Sequence, residues 1–447
     1  MKAVIIGAGA TGLSLAYILA RNSVEVVVVE AAAEPGGLLA TFDVGDGHQL
    51  ERFYHHFFTH DAEIHWLLGE LGLRDAVEYR PTTMGLYRDG GIYPFNGPKD
   101  LLGLDCLSFA ERIRFGLSSA MLAYLPGYSE REDEAALDWF RRRAGRSATS
   151  AIWEPMLRVK FGDAAGRIPL AWMAGRMRQR VRSRSGTQEK LGYLRGSMQV
   201  LVDRLVDELR RRGVTIHLGT KVESLELSGE GCTGVQIAGQ TIHADAVIST
   251  VPTPVLAGLI RDTQPSYADA LSEIRYMGAL CTVLSMDQPL SPLYWLNVAA
   301  EGYDFGGVIE QTNFVSAKHY GDRHIVYLSR YLDADHPLWC MSDDEVLERQ
   351  IGQLNEIFST KVRNRLRQSW VFRGRYAAPV CDLGFAGRIP KFRSPVGNLY
   401  VASMCHVYPD ERSVNNSVRV AAELAANMGL DASMVPRGLS SAAKYGA

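Results

Sequence analysis

Gly7-Ala-Gly9-Ala-Thr-Gly12 is the spacing in this chain with the clearest chemistry. It follows the apolar run Lys2 to Ile6 and leads into a helical pattern from Leu13 to Ala20. Such a turn suits a pyrophosphate. Gly7 permits the tight bend, Gly9 bares the backbone, and Gly12 lets helix pack on strand. The unpaired N–H groups and positive dipole at the helix start then face the phosphates. Glu30 follows the β-branched strand Glu25 to Val29, where a carboxylate accepts both ribose hydroxyls. The same spelling recurs at Gly229-Glu-Gly231-Cys-Thr-Gly234, but after polar Ser228 and before another strand. That copy reads as a hairpin turn. Just past Glu30, Gly36-Gly37-Leu38 would let backbone approach the rest of a longer cofactor.

The string Glu51-Arg-Phe-Tyr-His55-His56-Phe-Phe-Thr-His60 sets histidines among aromatics. It admits two readings: His55 or His56 as an acid or base with a pKa near neutral, or hydrogen-bonded core histidines. Lys160, before Phe161-Gly162, is either a site lysine or a surface lysine ahead of a turn. Arg176, Arg178, Arg180, Arg182 and Arg184 alternate with other residues. On a helix they split between two faces; on an extended segment all five face one way. With Lys190 and Arg195 they form a basic patch suited to a diphosphate or an anionic lipid surface, or simply a solvated face. Tyr276, Tyr294, Trp295 and the run Glu310 to Asn313 wall a pocket or pack a core. Ile113 to Leu125 reads as a membrane-surface helix or a buried one. No Cys/His cluster has metal-ligand spacing, so no metal is expected.

These residues need elements to hold them. Asp61 caps a helical pattern that Gly72 stops, and Ser108-Phe-Ala-Glu111 forms a capping box. Residues 197–213 form a strong helix, capped by Ser197 and ended by arginines and Gly213. Short strands follow from Val214 to Thr250, Ser342 to Glu345 opens a further helix, and Asn398 to Ala402 is a strand before a helix from Val414 to Met428. A chain of 447 residues, 47% hydrophobic and 22% charged, is an ordinary globular one. A net charge of −2 argues against nucleic acid as partner. Six dispersed cysteines read as free thiols of a reducing, cytoplasmic compartment. Residues 3–20 carry no charge, but their three spaced glycines argue against a signal or membrane span.

Three segments resemble the flavin-dependent amine oxidase superfamily, which includes protoporphyrinogen oxidase, phytoene desaturase and UDP-galactopyranose mutase. They are Gly7 to Gly12 with Glu30 and Gly36-Gly37, residues 191–227 leading to 244–252, and residues 398–426. The resemblance implies an α/β fold: a Rossmann-like FAD-binding domain with an interleaved α+β substrate domain. FAD would be held by 1–80, 191–262 and 396–447, and substrate by 81–190 and 263–395. Val222 would meet the adenine by its backbone, Thr250 in the 244–252 motif would contact the cofactor, and Val414 opens a helix at the pyrimidine edge of the ring. The ribityl contact stays open between Ser403-Met404 and Asp410. The implied activity is an FAD-dependent oxidoreductase acting on a small molecule, with oxygen or another acceptor reoxidising the flavin. The alternatives are a redox-neutral sugar-nucleotide mutase and a binding protein on the same scaffold. FYHHFF, YPF and YP-acid-x-R segments resemble a bacterial subgroup associated with polysaccharide biosynthesis. That subgroup implies an anionic substrate, a sugar nucleotide or diphosphate. Contact with the inner membrane face is a further expectation.

Overall fold

The computed structural model describes residues 1–185, 188–229 and 231–438. The last residues of the expected C-terminal FAD segment, 439–447, lie outside them.

Lys2–Ile6 is buried along Ala3, Val4, Ile5 and Ile6, so both faces of this strand need cover. A strand buried on two faces suits the middle of a parallel sheet. It occupies that place, in the order Thr215–His217, Glu25–Val29, Lys2–Ile6, Ala246–Ser249, Leu399–Val401, all parallel. Alternation then sorts the side chains. Ala3, Ile5, Val26 and Val28 pack with helices Ala10–Arg21, Gln199–Arg211 and Val414–Asn427. Val4, Ile6, Val27 and Val29 pack with the three-stranded antiparallel sheet Val222–Ser228, Gly231–Ile237, Gln240–His243 and with helix Thr253–Ile260. This is a doubly covered α/β domain of the Rossmann type.

The second glycine motif is a hairpin: Ser228 pairs with Gly231 across the turn. Glu230 lies outside the described residues. The helix expected from Ser197 begins at Gln199. Ser197 takes a positive φ of 76°, and its hydroxyl accepts the Gln199 N–H at 3.2 Å. The capping boxes at Ser108/Glu111 and Ser342/Glu345 form, starting helices Phe109–Tyr124 and Asp343–Phe358.

A seven-stranded mixed sheet stands opposite the parallel one. Its order is Leu366–Pro379, Tyr276–Met286, His324–Leu332, Gly307–Glu310, Trp295–Val298, Met84–Arg88, Gly91–Pro94. Against it sits a helical layer with an aromatic core, where Trp153 stacks between Phe115 and Phe140 at 5.2 and 4.6 Å.

Helix Phe109–Tyr124 is neither simply buried nor simply exposed. Phe115 and Leu122 enter the core, while Phe109, Ile113, Leu117 and Tyr124 share the opposite face. Phe109, Leu117 and Tyr124 are 68%, 62% and 70% exposed, so that face is apolar and open to solvent over four turns. Among the described residues no helix is long and apolar enough to cross a membrane.

Glu310 is 2% exposed, and accepts the Leu290 N–H at 2.8 Å and the Ser291 hydroxyl. Burial pushes its carboxyl up to about 7. A carboxyl raised above its unfolded value stabilises most when protonated. Its contribution is full below the ordinary 4.5 and is lost as pH rises through about 7. Glu310→Gln is therefore expected to flatten the fall in stability across that window, measured by denaturant unfolding at stepped pH. An unchanged slope would assign the fall to other groups.

Candidate active site

One cavity of about 490 Å³ opens where the parallel sheet meets the mixed sheet and the helical layer. Its floor is the first glycine turn. Gly7 takes a φ of 106°, and a Cβ on Gly12 would stand 2.0 Å from the Gly7 carbonyl oxygen. Neither position tolerates a side chain. Gly9 is different: nothing lies within 4 Å of where its Cβ would be, so the cavity reaches bare backbone there. The Thr250 hydroxyl donates to the Ile6 carbonyl at 2.9 Å, tying the fourth strand's end to the turn.

Gly36 and Gly37 complete this floor. The Gly36 N–H donates to the Ala8 carbonyl at 2.8 Å, and a Cβ on Gly37 would stand 3.2 Å from Gly9 Cα. The second turn can lie on the first because neither carries a side chain. Glu30 is held between them. Its two carboxylate oxygens accept the Ala8 and Ala32 N–H groups, each at 2.8 Å, and keep lone pairs for other donors. Leu38 and Val414 also line the cavity. Val414 begins its helix behind Ser413, whose hydroxyl accepts the Asn416 N–H at 3.1 Å.

Val222 begins a strand of the three-stranded sheet, and its side chain packs into the core beneath the parallel one. Its backbone, the part expected to meet the adenine, lies two residues after Thr220, which donates its N–H to the Glu30 carbonyl at 2.8 Å. Asp410 lines a separate small cleft with His60, Arg178 and Arg182. The chain turns at this point, so the next residues, Glu411 and Arg412, face the large cavity instead.

His55, His56 and Lys160 all line the cavity. The histidines, however, are not poised near neutrality. Burial pushes both down to about 4. The Arg412 charge adds to this for His55, and Arg180 for His56. His55 Nδ1 lies 2.6 Å from the Phe53 carbonyl. Burial thus favours the neutral form of both rings at neutral pH. His56 Nδ1 is buried without a protein partner.

Four of the five arginines, Arg176, Arg178, Arg180 and Arg182, lie on helix Leu170–Arg182, and Arg184 begins the short strand Arg184–Ser185. Arg176 and Arg180 face the cavity, and Arg178 and Arg182 face the small cleft, so no five-membered patch forms. Arg180 pairs with Glu189 at 2.9 Å. Arg176 and Lys160 share one carboxylate, Glu411. Lys160 Nζ also stands 4.8 Å from the Trp172 ring centroid. Burial pushes the Lys160 amine down, against the pull of Glu411. Burial alone would raise the Glu411 carboxyl, but Arg176, Lys160 and Arg180 hold it well below the ordinary carboxylate range. Of the expected wall, Trp295 lines the cavity, Tyr276 is half-buried against the core of the helical layer, and Tyr294 and Glu310 are core residues.

Glu411 and Tyr331 escape a reading of the sequence, while Tyr54 and Arg412 stand in the FYHHFF and YP-acid-x-R segments without being given a role there. Glu411 and Arg412 stand beside the residue that was singled out. Tyr331 lies on strand His324–Leu332, where no local spacing marks it.

A family model for flavin-containing amine oxidoreductases matches residues 10–421. The chain belongs to that family. It is 26% identical over 292 residues to coproporphyrinogen III oxidase of Bacillus subtilis, covering 58% of this chain and 61% of that protein. It is 25% identical over 283 residues to 15-cis-phytoene desaturase of Arabidopsis thaliana, covering 59% of this chain and 50% of that protein. The chain thus spans about half to three fifths of these curated relatives. Among solved structures, an oxidoreductase from Methanosarcina mazei superposes with a TM-score of 0.73 at 19% identity, over 96% of this chain and 100% of that one. Reduced UDP-galactopyranose mutase gives 0.74 at 15% identity, over 98% and 96%. At such identities the superpositions establish the fold. The cofactor of the family is FAD, and the residues here fit it: bare backbone at Gly9, a carboxylate with free lone pairs at Glu30, and an unpartnered ring nitrogen at His56.

Glu30→Ala removes the acceptor that the fingerprint places at the ribose. Hydrogen bonds to a charged group contribute roughly 1.5–3 kcal/mol, so FAD affinity should fall about tenfold or more. Titrating apoprotein with FAD and following flavin fluorescence checks this; wild-type affinity would remove Glu30 from the cofactor site.

Proposed function

We propose that this chain is an FAD-dependent oxidoreductase acting on a small anionic molecule. The observation that carries this reading is that one cavity joins the glycine floor and Glu30 to a wall of Lys160, Arg176 and Arg412. Bound FAD would supply the two-electron chemistry there. The chain's own residues would do the rest. Gly7 to Gly12, Glu30 and Gly36-Gly37 hold the cofactor, and the Val414 helix start faces the cavity with a positive dipole. Trp295 and the neutral His55 and His56 wall the substrate and exclude water. Lys160 and Arg176 share one carboxylate, so their cluster keeps a positive surplus that favours a carboxylate or phosphate on the substrate.

Anaerobic mixing with carboxylated amines, tetrapyrrole carboxylates and sugar nucleotides is expected to bleach the flavin band for one of these classes. Arg176→Gln should weaken that substrate's KM far more than it changes FAD content. Turnover that needs prior reduction yet consumes no electrons would overturn the oxidoreductase reading in favour of the mutase-like one.

The open apolar face of Phe109, Ile113, Leu117 and Tyr124 supports peripheral contact with a bilayer. Arg114 lies on the same helix beside that face and bonds the Arg142 and Arg143 carbonyls, which brings further cations near an interfacial helix of the kind that sits over anionic headgroups. Leu117→Glu is expected to abolish flotation with anionic phospholipid vesicles while leaving FAD content unchanged. Equal flotation of both proteins would dismiss this face as the contact.

A further inference from the structure

Among the described residues, Arg412 is the one cation in the cavity wall whose side-chain partners include no carboxylate. Its guanidinium donates to the Ala377 carbonyl at 2.6 Å and to the Tyr331 hydroxyl. Among the described residues it forms no ion pair, whereas Lys160 and Arg176 share Glu411 and Arg180 has Glu189. A charge held away from water calls for a counter-charge. The phenol of Tyr331 is the group placed to provide one. It lies against Arg412, whose guanidinium carbon is 5.2 Å from the Tyr331 ring centroid, and Lys160 Nζ is 5.9 Å from the same centroid.

We propose that Tyr331 and Arg412 form a phenolate–guanidinium pair that accepts the proton leaving the substrate. This rests on the oxidoreductase reading above. In the step, a substrate C–H bond breaks and its two electrons pass as hydride to bound FAD. The neighbouring N–H or O–H bond breaks heterolytically, and its proton goes to Tyr331 Oη. The carbon–heteroatom bond gains the second pair and becomes C=N or C=O. The substrate is oxidised, FAD is reduced, and Tyr331 becomes a neutral phenol.

The surroundings of Tyr331 favour the charged form. Arg412 and Glu411 face it from the loop before Val414, Lys160 from helix Glu154–Phe161, and Tyr54 from the histidine loop. Burial raises a phenol, but Arg412 and Lys160 together bring Tyr331 below its ordinary value of 10.0, against Glu411. Tyr54 moves the opposite way, pushed up by burial and by Tyr331, so of the two phenols Tyr331 is the one whose surroundings favour the anion. His55 and His56, both pushed down to about 4, are poor proton acceptors at neutral pH.

The test is an ultraviolet titration of the FAD-loaded protein, following tyrosinate absorbance with rising pH. Wild type is expected to show one tyrosinate equivalent forming below 10.0, the ordinary phenol value. Tyr331→Phe should lose that equivalent, Arg412→Gln should move it upward, and Arg412→Lys should keep it low. Flavin content and circular dichroism verify that each variant is folded. Superimposed titrations for wild type and Tyr331→Phe would overturn the pair. This readout needs neither substrate nor electron transfer, so it fails or succeeds separately from the oxidoreductase reading. With a substrate that bleaches the flavin, Tyr331→Phe should slow reduction roughly 100-fold or more. A wild-type rate would overturn the proton-accepting role.

Discussion

Everything at this site depends on where one buried strand ends. Lys2–Ile6 sits mid-sheet with apolar cover on both faces, so its register and direction are fixed by packing. Its C-terminal end must then emerge at Gly7, beside the ends of Glu25–Val29 and Ala246–Ser249. Ligands in open α/β sheets bind at such carboxyl ends. Here the convergence is unusually tight. The Thr250 hydroxyl donates to Ile6, Glu30 accepts from Ala8, and the Gly36 turn lies against Gly9. A side chain at Gly12 would push the helix off the strand and disturb all of these contacts together.

The opposite wall obeys a different constraint. Lys160, Arg176, Glu411 and Arg412 come from two helices and a loop far apart in sequence. Bringing charges out of water costs several kcal/mol per ion unless the geometry repays it. Glu411 repays part of that cost by serving two cations, and Glu189 pairs with Arg180 while accepting the Ser183 hydroxyl. Such shared pairing leaves little freedom for the loop at 408–413. That loop leads directly into Ser413 and the helix start at Val414, so the charged wall and the cofactor-facing helix are positioned by the same turn.

What was legible in the sequence was local. The glycine turn with its flanking strand, helix and acid is written within 30 residues, and it folds as the spacing implies. The capping boxes at Ser108 and Ser342 are likewise written in four residues each. The decoy at Gly229 was separable because its flanks are strands. Where the sequence misleads, the missing information is tertiary. The arginine row needed the helix to decide its faces. Asp410 and Glu411 are adjacent, and only the path of the turn decides which one enters the cavity. Histidines among aromatics suggest near-neutral titration, yet burial removes it, with Arg412 adding to the effect at His55 and Arg180 at His56. Tyr331 has no local mark because its significance is the cation that a segment 81 residues later brings to it.

These displacements share a direction, and it bears on how the site handles protons. The groups that sequence patterns favour for acid–base work, His55 and His56, are those that desolvation silences, because a neutral ring is the cheaper buried form. The groups that stay charged are those paired across distant segments. A phenol gains from this arrangement in a way an imidazole cannot. Its ionised form is an anion, so the cations that depress a histidine pKa depress a phenol's too, and there the shift creates the base instead of destroying it. In a wall with surplus positive charge, an anionic base is favoured by the same field that draws in an anionic substrate. The two compete for one set of cations, so a substrate anion seated on Lys160 and Arg176 would leave Arg412 to Tyr331.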